Sequence, residues 1–294
     1  MDVRASSTAF DTVIFVLLVG VAVGVLAGVD ARSVDGDRIA EETADVLATS
    51  TTEVTYTRSV TVESSSLLGG TESQSVAVTR TARGTHAQLL AAAAVSTPSL
   101  DGSPLVGAGR ELREESRVAA ERVLHTREAN VQVAVAWRPY PGATLASSFA
   151  VGDAPPSDAD VSITTVSAAS GLPNVTTEAR RAAGRGGYGG VATVVARSVV
   201  DGLFSPSEMR AALYSEGPDR ALTAHRYRRA SDALGVETAD LVRPRGVDAA
   251  NRKLTRALAE RLRADMRERF ETPEAAARAI RTHQVRLVVR TWSP

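Results

Sequence analysis

The run Gly184-Arg-Gly-Gly-Tyr-Gly189-Gly190 contains the spacing G-x-G-x-x-G. In dinucleotide-binding units that spacing lets backbone approach a pyrophosphate, but it requires a strand immediately before the glycines. What precedes here is Thr176–Ala183, rich in Ala and Arg and helical in pattern. The segment therefore reads as a glycine hinge between helices. No P-loop, G-x-S-x-G or H-E-x-x-H motif occurs. The four histidines (His86, His125, His225, His283) are scattered without metal-ligand spacing, which reads as surface or helix-end positions. No acid/base pair stands out among the carboxylates, so no catalytic residue, metal or cofactor is expected. Two arginine clusters remain. Arg226, Arg228 and Arg229 form one; Arg256, Arg261, Arg263, Arg267 and Arg269 form the other, interleaved with Glu260, Asp265, Glu268 and Glu271. Such interleaving marks a solvated helix face with i,i+4 pairs, or a surface for partner subunits or acidic glycans. Nucleic-acid binding calls for an unbroken basic stripe or stacking aromatics, and neither is present in the pattern.

Composition narrows the classes further. The chain has no Cys, which excludes disulfides, thiolate metal sites and cysteine nucleophiles. Basic charge is almost wholly Arg, since Lys253 is the only lysine. Formal charge sums to zero but is unevenly placed: residues 1–150 carry 12 basic against 17 acidic groups, and the remainder carries 22 against 17. Apolar residues make up 44% and aromatics only 4%, so a packed core must be built from Ala, Val and Leu.

The longest uncharged run, Thr12 to Val29, has 18 residues bounded by Asp11 and Asp30. As a helix at ~1.5 Å per residue it is about 27 Å long, close to the hydrocarbon thickness of a bilayer and longer than most secretory signal cores. Gly20, Gly24 and Gly28 form a small-residue ladder on one face, suited to close helix–helix approach in lipid. Arg4 precedes the span and a mostly acidic segment follows it, which favours a cytoplasmic N-terminus with the bulk of the chain outside the cell membrane. The sequon Asn174-Val175-Thr176 agrees with an outward-facing domain.

The order Arg4-Ala5-Ser6, a short polar segment, Asp11 and then the apolar helix resembles a type IV prepilin-like leader of the archaeal class. The opening R-A-S-S-T is similar to that of uncharacterised haloarchaeal proteins linked with pilus or tight-adherence-like systems. In such pilin-like and pseudopilin-like proteins a basic and a small residue precede the cut, and the apolar segment stays as membrane anchor and filament core. The resemblance implies cleavage after Ala5 by a prepilin peptidase, leaving Ser6 first, and association with other pilin-like subunits. An acid commonly stands near mature position five; here Asp11 falls at six, so an interfacial acid at the positive end of a helix is an equal reading.

The elements that would carry these groups follow from periodicity. The expected class is α+β: a leader over 1–11, a transmembrane helix over 12–29 and an extracytoplasmic domain over 30–294. Within that domain, residues 50–170 read as sheet-rich, 174–282 as helix-rich and 283–292 as a terminal strand. A short helix is expected over 37–49, a hairpin over 53–82 turning at Leu67–Gly70, and an Ala-rich helix over 84–95. A charged helix over 108–128 follows, then strands at 131–137, 144–151 and 161–167, making an antiparallel sheet of about five strands. Ser205-Pro206-Ser207-Glu208 reads as a capping box, Pro218 and Gly235 bound a helix, and Asp248 caps a long helix reaching Phe270. The leading reading is a non-enzymatic pilin-like component. The alternatives are a single-pass surface binding protein, or a secreted enzyme cleaved near Val29-Asp30-Ala31.

Overall fold

Strict alternation along Val131, Val133, Val135 and Trp137, and along Val285, Leu287 and Val289, places every second side chain on one face of an extended chain. These two segments become the central strands of the principal sheet. The computed structural model describes residues 34–65, 71–107, 109–125 and 129–293. In chain order the elements are α1 (Val34–Thr49), β1 (Thr51–Ser65), β2 (Thr71–Thr85), α2 (His86–Ser96), β3 (Ser99–Leu100), β4 (Ser103–Pro104) and α3 (Arg110–Leu124). Then come β5 (Asn130–Trp137), β6 (Leu145–Val151), β7 (Ser162–Ala169), α4 (Thr176–Leu203), α5 (Pro206–Tyr214) and α6 (Pro218–Leu234). Two short 3-10 turns lead to α7 (Val247–Arg269), α8 (Pro273–Arg278) and β8 (Gln284–Trp292). The class is α+β, with antiparallel sheets and a helical second half.

The single five-stranded sheet expected from the pattern is corrected to two sheets. β1 and β2 pair only with each other, while the main sheet has six strands in the order β4-β3-β6-β5-β8-β7. The hairpin separates because its inward residues Val54, Tyr56 and Ala82 find apolar partners on helices (Leu89, Ala93, Leu112, Ala119) and not on a sheet edge. β8 lies between β5 and β7, with Leu287 facing Val135 on one side and Val166 on the other. Ala44 and Leu47 of α1 and Leu90 and Ala91 of α2 share one hydrophobic cluster with this buried sheet face. The opposite face is polar and carries the exposed Ile163 beside Arg290.

Two expected caps are also corrected. Ser205 makes no side-chain cap bond; its hydroxyl lies 3.2 Å from that of Ser207, and Glu208 is drawn to an arginine cavity described below. Gly246, not Asp248, caps α7, because Asp248 is held 2.5 Å from Arg210 of α5. A reciprocal capping box forms instead between Thr85 and Gln88 at the start of α2. The glycine run lies inside α4, where Gly187 (φ 55°, ψ −144°) breaks the helix into two segments. That conformation is open essentially to glycine alone.

The helical half is tied to the sheet by buried polar groups. The Asp265 carboxylate on α7 accepts from Tyr140 Oη (2.7 Å) and Arg269 Nε (2.8 Å), fixing the turn after β5. The Thr282 carbonyl accepts from Trp137 Nε1 and Ser170 Oγ. Near the start of α7, Asn251 accepts from Tyr227 Oη and donates to the Phe204 carbonyl. Burial and the neighbouring Asp265 push the Tyr140 hydroxyl well above the usual phenol range, and burial does the same to Tyr227.

Two expectations follow. A β-carbon on Gly187 would meet only Pro273 Cγ at 3.8 Å, so Gly187→Ala tests backbone strain alone. It should lower unfolding free energy by about 1–3 kcal/mol, whereas Gly186→Ala, in helical backbone with open space, should raise it by about 0.5–1 kcal/mol. Paired urea titrations check this. The raised phenol values also have a signed consequence. Above about pH 10 the unfolded chain releases tyrosine protons that the folded state retains, so stability falls as pH rises, by up to about 1.4 kcal/mol per unit per tyrosine. Comparing the wild type with Tyr140→Phe/Tyr227→Phe in alkaline unfolding isolates this slope, and the double variant should show the shallower fall.

Candidate functional site

A concavity of about 660 Å³ runs along the seam between α4 and α7. From α4 it takes Gly189, Thr193, Arg197 and Asp201, spaced four apart and therefore on one helix face. From α7 it takes residues between Asp248 and Arg263. The helices run antiparallel here: a β-carbon on Gly189 would touch Arg263 Cδ at 3.6 Å, while Asp201 senses the charge of Asp248 at the other end. The floor is Asn251 and Ala259, and the rims are charged. Arg252, Arg256 and Arg263 make no ion pair among the described residues. Partial burial pushes the Asp201 carboxyl upward; Arg197 pulls it down and Asp248 adds to the rise. Chemically this is a polar, zwitterionic groove suited to an extended partner, with guanidinium groups free to pair. The expected i,i+4 ion pairing of the arginine-rich α7 face is realised at Asp265–Arg269.

A second cluster sits beneath the hairpin. Tyr56, Arg58 and Arg80 of β1 and β2 face Glu208 of α5 and Asp219 and Arg226 of α6 around a cavity of about 110 Å³. Arg80 pairs with Asp219 at 2.5 Å, pinning the ribbon to the start of α6. The Nε atoms of Arg58 and Arg226 are sealed from solvent without a hydrogen-bond partner. Burial first, then the repulsion of Arg58, pulls the Arg226 guanidinium down to about 10; Glu208 opposes that shift. Arg226 also lies 5.2 Å over the Phe204 ring, a cation–π contact. Two like charges thus share one cavity with the Glu208 and Asp219 carboxylates.

Residues 10–292 match the family described as a family of unknown function, DUF7284. The chain belongs to the DUF7284 family. No curated protein and no solved structure matches it.

In this DUF7284 member the leader and assembly residues read from the sequence (Arg4, Ala5, Ser6, Asp11, Gly20, Gly24, Gly28) and the Leu67–Gly70 turn lie outside the described residues. Among the described residues no helix is long and apolar enough to cross a membrane, and no group of three His, Cys, Asp or Glu could hold a metal ion. Asn174 is exposed, its Oδ1 accepting from the Thr176 amide at 3.1 Å as the chain enters α4. The α6 arginine cluster does not form one surface: Arg226 faces the hairpin cavity, Arg229 lines a different pocket and Arg228 is exposed. His86 is buried at the first position of α2, not on the surface, and burial lowers its imidazole below the ordinary value. Sequence reading missed Arg58. The available signal was phase: Arg58 shares the inward alternation of Val54 and Tyr56, where a charge is out of place.

Because Arg226 is a desolvated cation facing another, Arg226→Met, which keeps the stem over Phe204, should leave stability unchanged or raise it by up to about 2 kcal/mol. Glu208→Gln, which removes the opposing charge, should lower it. Thermal unfolding of both variants checks the pair, and a large loss in Arg226→Met would show that its guanidinium is satisfied.

Proposed function

We propose that this chain is a membrane-anchored, non-enzymatic component of a type IV filament or related surface machinery, pilin-like or pseudopilin-like in character. Thr12–Val29 is its retained span, with the α+β domain displayed outside the cell. The observation that carries this reading is that one family covers residues 10–292, taking in the apolar run and the terminal strand together. A segment discarded after export need not travel with the folded part in this way. Further support comes from α1, which begins at Val34, four residues beyond Asp30. Its inner face (Ala40, Thr43, Ala44, Leu47) is buried, so a span ending at Val29 would stand only a few residues in sequence from a helix seated on the sheet. On this reading, function is assembly. The span leaves lipid, packs through Gly20, Gly24 and Gly28 against neighbouring spans, and carries the domain into the array.

The α4/α7 groove favours a second reading, a single-pass surface protein that binds a partner through its domain without entering a filament. The N-terminal sequence and intact mass of the mature protein separate these. A start at Ser6 or Ser7 is expected for the pilin-like protein. Retention of Met1 or Asp2 would leave a plain anchor, and a start near Arg32 would overturn both membrane readings in favour of a secreted protein. If the domain faces outward in a glycosylating host, the native mass should also exceed the sequence mass, and Asn174→Gln should remove the excess.

A further inference from the structure

A chamber of about 240 Å³ lies where four separate pieces of chain meet: the 97–107 segment, the first turn of α3, β6 and α6. Its charged lining consists of Arg110, Arg113 and Arg229, and no Asp or Glu contributes. None of these three arginines takes part in an ion pair among the described residues. This sets the chamber apart from the other two concavities, where carboxylates share the wall with the arginines.

The nearby hydroxyls do not supply the missing partners. Ser99 Oγ donates to the Ala146 carbonyl at 3.1 Å, and Thr97 Oγ1 donates to the Ala93 carbonyl at 3.0 Å while lying 3.2 Å from Ser147 Oγ. The donors that line the chamber without such a bond are the guanidinium N–H groups and the exposed Ser148 hydroxyl. Arg113 lies 5.8 Å over the Phe149 ring, and Arg229 Nε lies beside Gly107, at ordinary contact distance (3.7 Å) from where a β-carbon there would stand. Arg110 opens α3, whose positive end adds to the field, offset in part by the Glu111 carboxylate of its first turn. Three cations around one small chamber raise each other's energy unless an anion shares the space.

We propose that this chamber binds a tetrahedral oxyanion, a phosphate or sulfate group carried as an ester. Guanidinium forks pair two donors with two oxygens of such a group, and three forks suit a centre bearing several equivalent oxygens better than a planar carboxylate. The volume equals roughly eight waters of liquid, which leaves room for part of the group to which the anion is attached. The site stands independently of filament assembly.

Calorimetric titration of the full chain in detergent at low ionic strength tests this with inorganic phosphate, glucose 6-phosphate, glucose 6-sulfate and glucuronate. Saturable binding of the tetrahedral anions is expected, with glucuronate about 10-fold weaker or more. Esters binding more tightly than inorganic phosphate identify an esterified ligand, and equal affinity identifies the free ion; both keep the oxyanion site. Arg110→Gln/Arg229→Met should weaken binding by about 10-fold or more with an unchanged circular dichroism spectrum. The single variant Arg110→Gln, at an exposed position, carries the same test if the double variant fails to fold. Absence of saturable binding, wild-type affinity in the arginine variants, or glucuronate binding as tightly as the phosphates would overturn the assignment.

Discussion

The last strand of the described fold, β8, is inserted between β5 and β7 in the main sheet, and most of the architecture depends on that insertion. β8 satisfies the backbone of β5 on one side and β7 on the other, so without it neither strand has its full complement of hydrogen bonds. The same strand contributes Val285, Leu287 and Val289 to the cluster that α1 and α2 cover. Because β5 and β8 are separated by the entire helical half, that half must be in place for the pairing to close. Its attachment combines a shared hydrophobic cluster with polar groups, among them the Asp265 carboxylate, the Thr282 carbonyl and the indole of Trp137. Each is buried and bonded, as a polar group in a core of Ala, Val and Leu has to be.

With so few aromatics, the chain relies on arginine for tasks that aromatic or lysine side chains perform elsewhere. Arginine stems line all three concavities. Guanidinium groups cover the rings of Phe149 and Phe204, and ion pairs from Arg80 and Arg210 join elements distant in sequence. A guanidinium tolerates partial burial better than an ammonium because its charge is spread over a plane and is weakly hydrated. That property explains how Arg58 and Arg226 can share the cavity under the hairpin although burial pulls both guanidinium groups below the ordinary value.

Local order was legible in the sequence wherever a period of two or 3.6 persisted. The hairpin, β5, β8, the helix bounded by Pro218 and Gly235, and the Thr272-Pro273 start of α8 all follow from residues adjacent in the chain. What could not be read was association. Nothing in the alternation of β1 says that its apolar phase would meet α2 and α3 instead of a sheet, because both offer Ala and Leu. Capping was ambiguous for a similar reason: Ser205 and Asp248 have cap chemistry, but each found a competing partner. The arginine sites were legible only in part: the sequence singled out Arg226 and Arg229, but the groups they meet come from positions as distant as 58, 80 and 110. One charge in an apolar phase was the local trace of Arg58.

The seat of α1 has a mechanical consequence. A pull entering at Val34 passes into a helix that lies against β7, from the middle of the chain, and β8, the last strand of the described fold. Tension entering at the front is therefore shared with the strand that closes the fold, and the ends of the described chain brace one another. Peeling α1 away would uncover the apolar face of the central strands, so the domain offers no free end from which to unravel under load. A body built this way can be towed by its N-terminal segment and keep its shape.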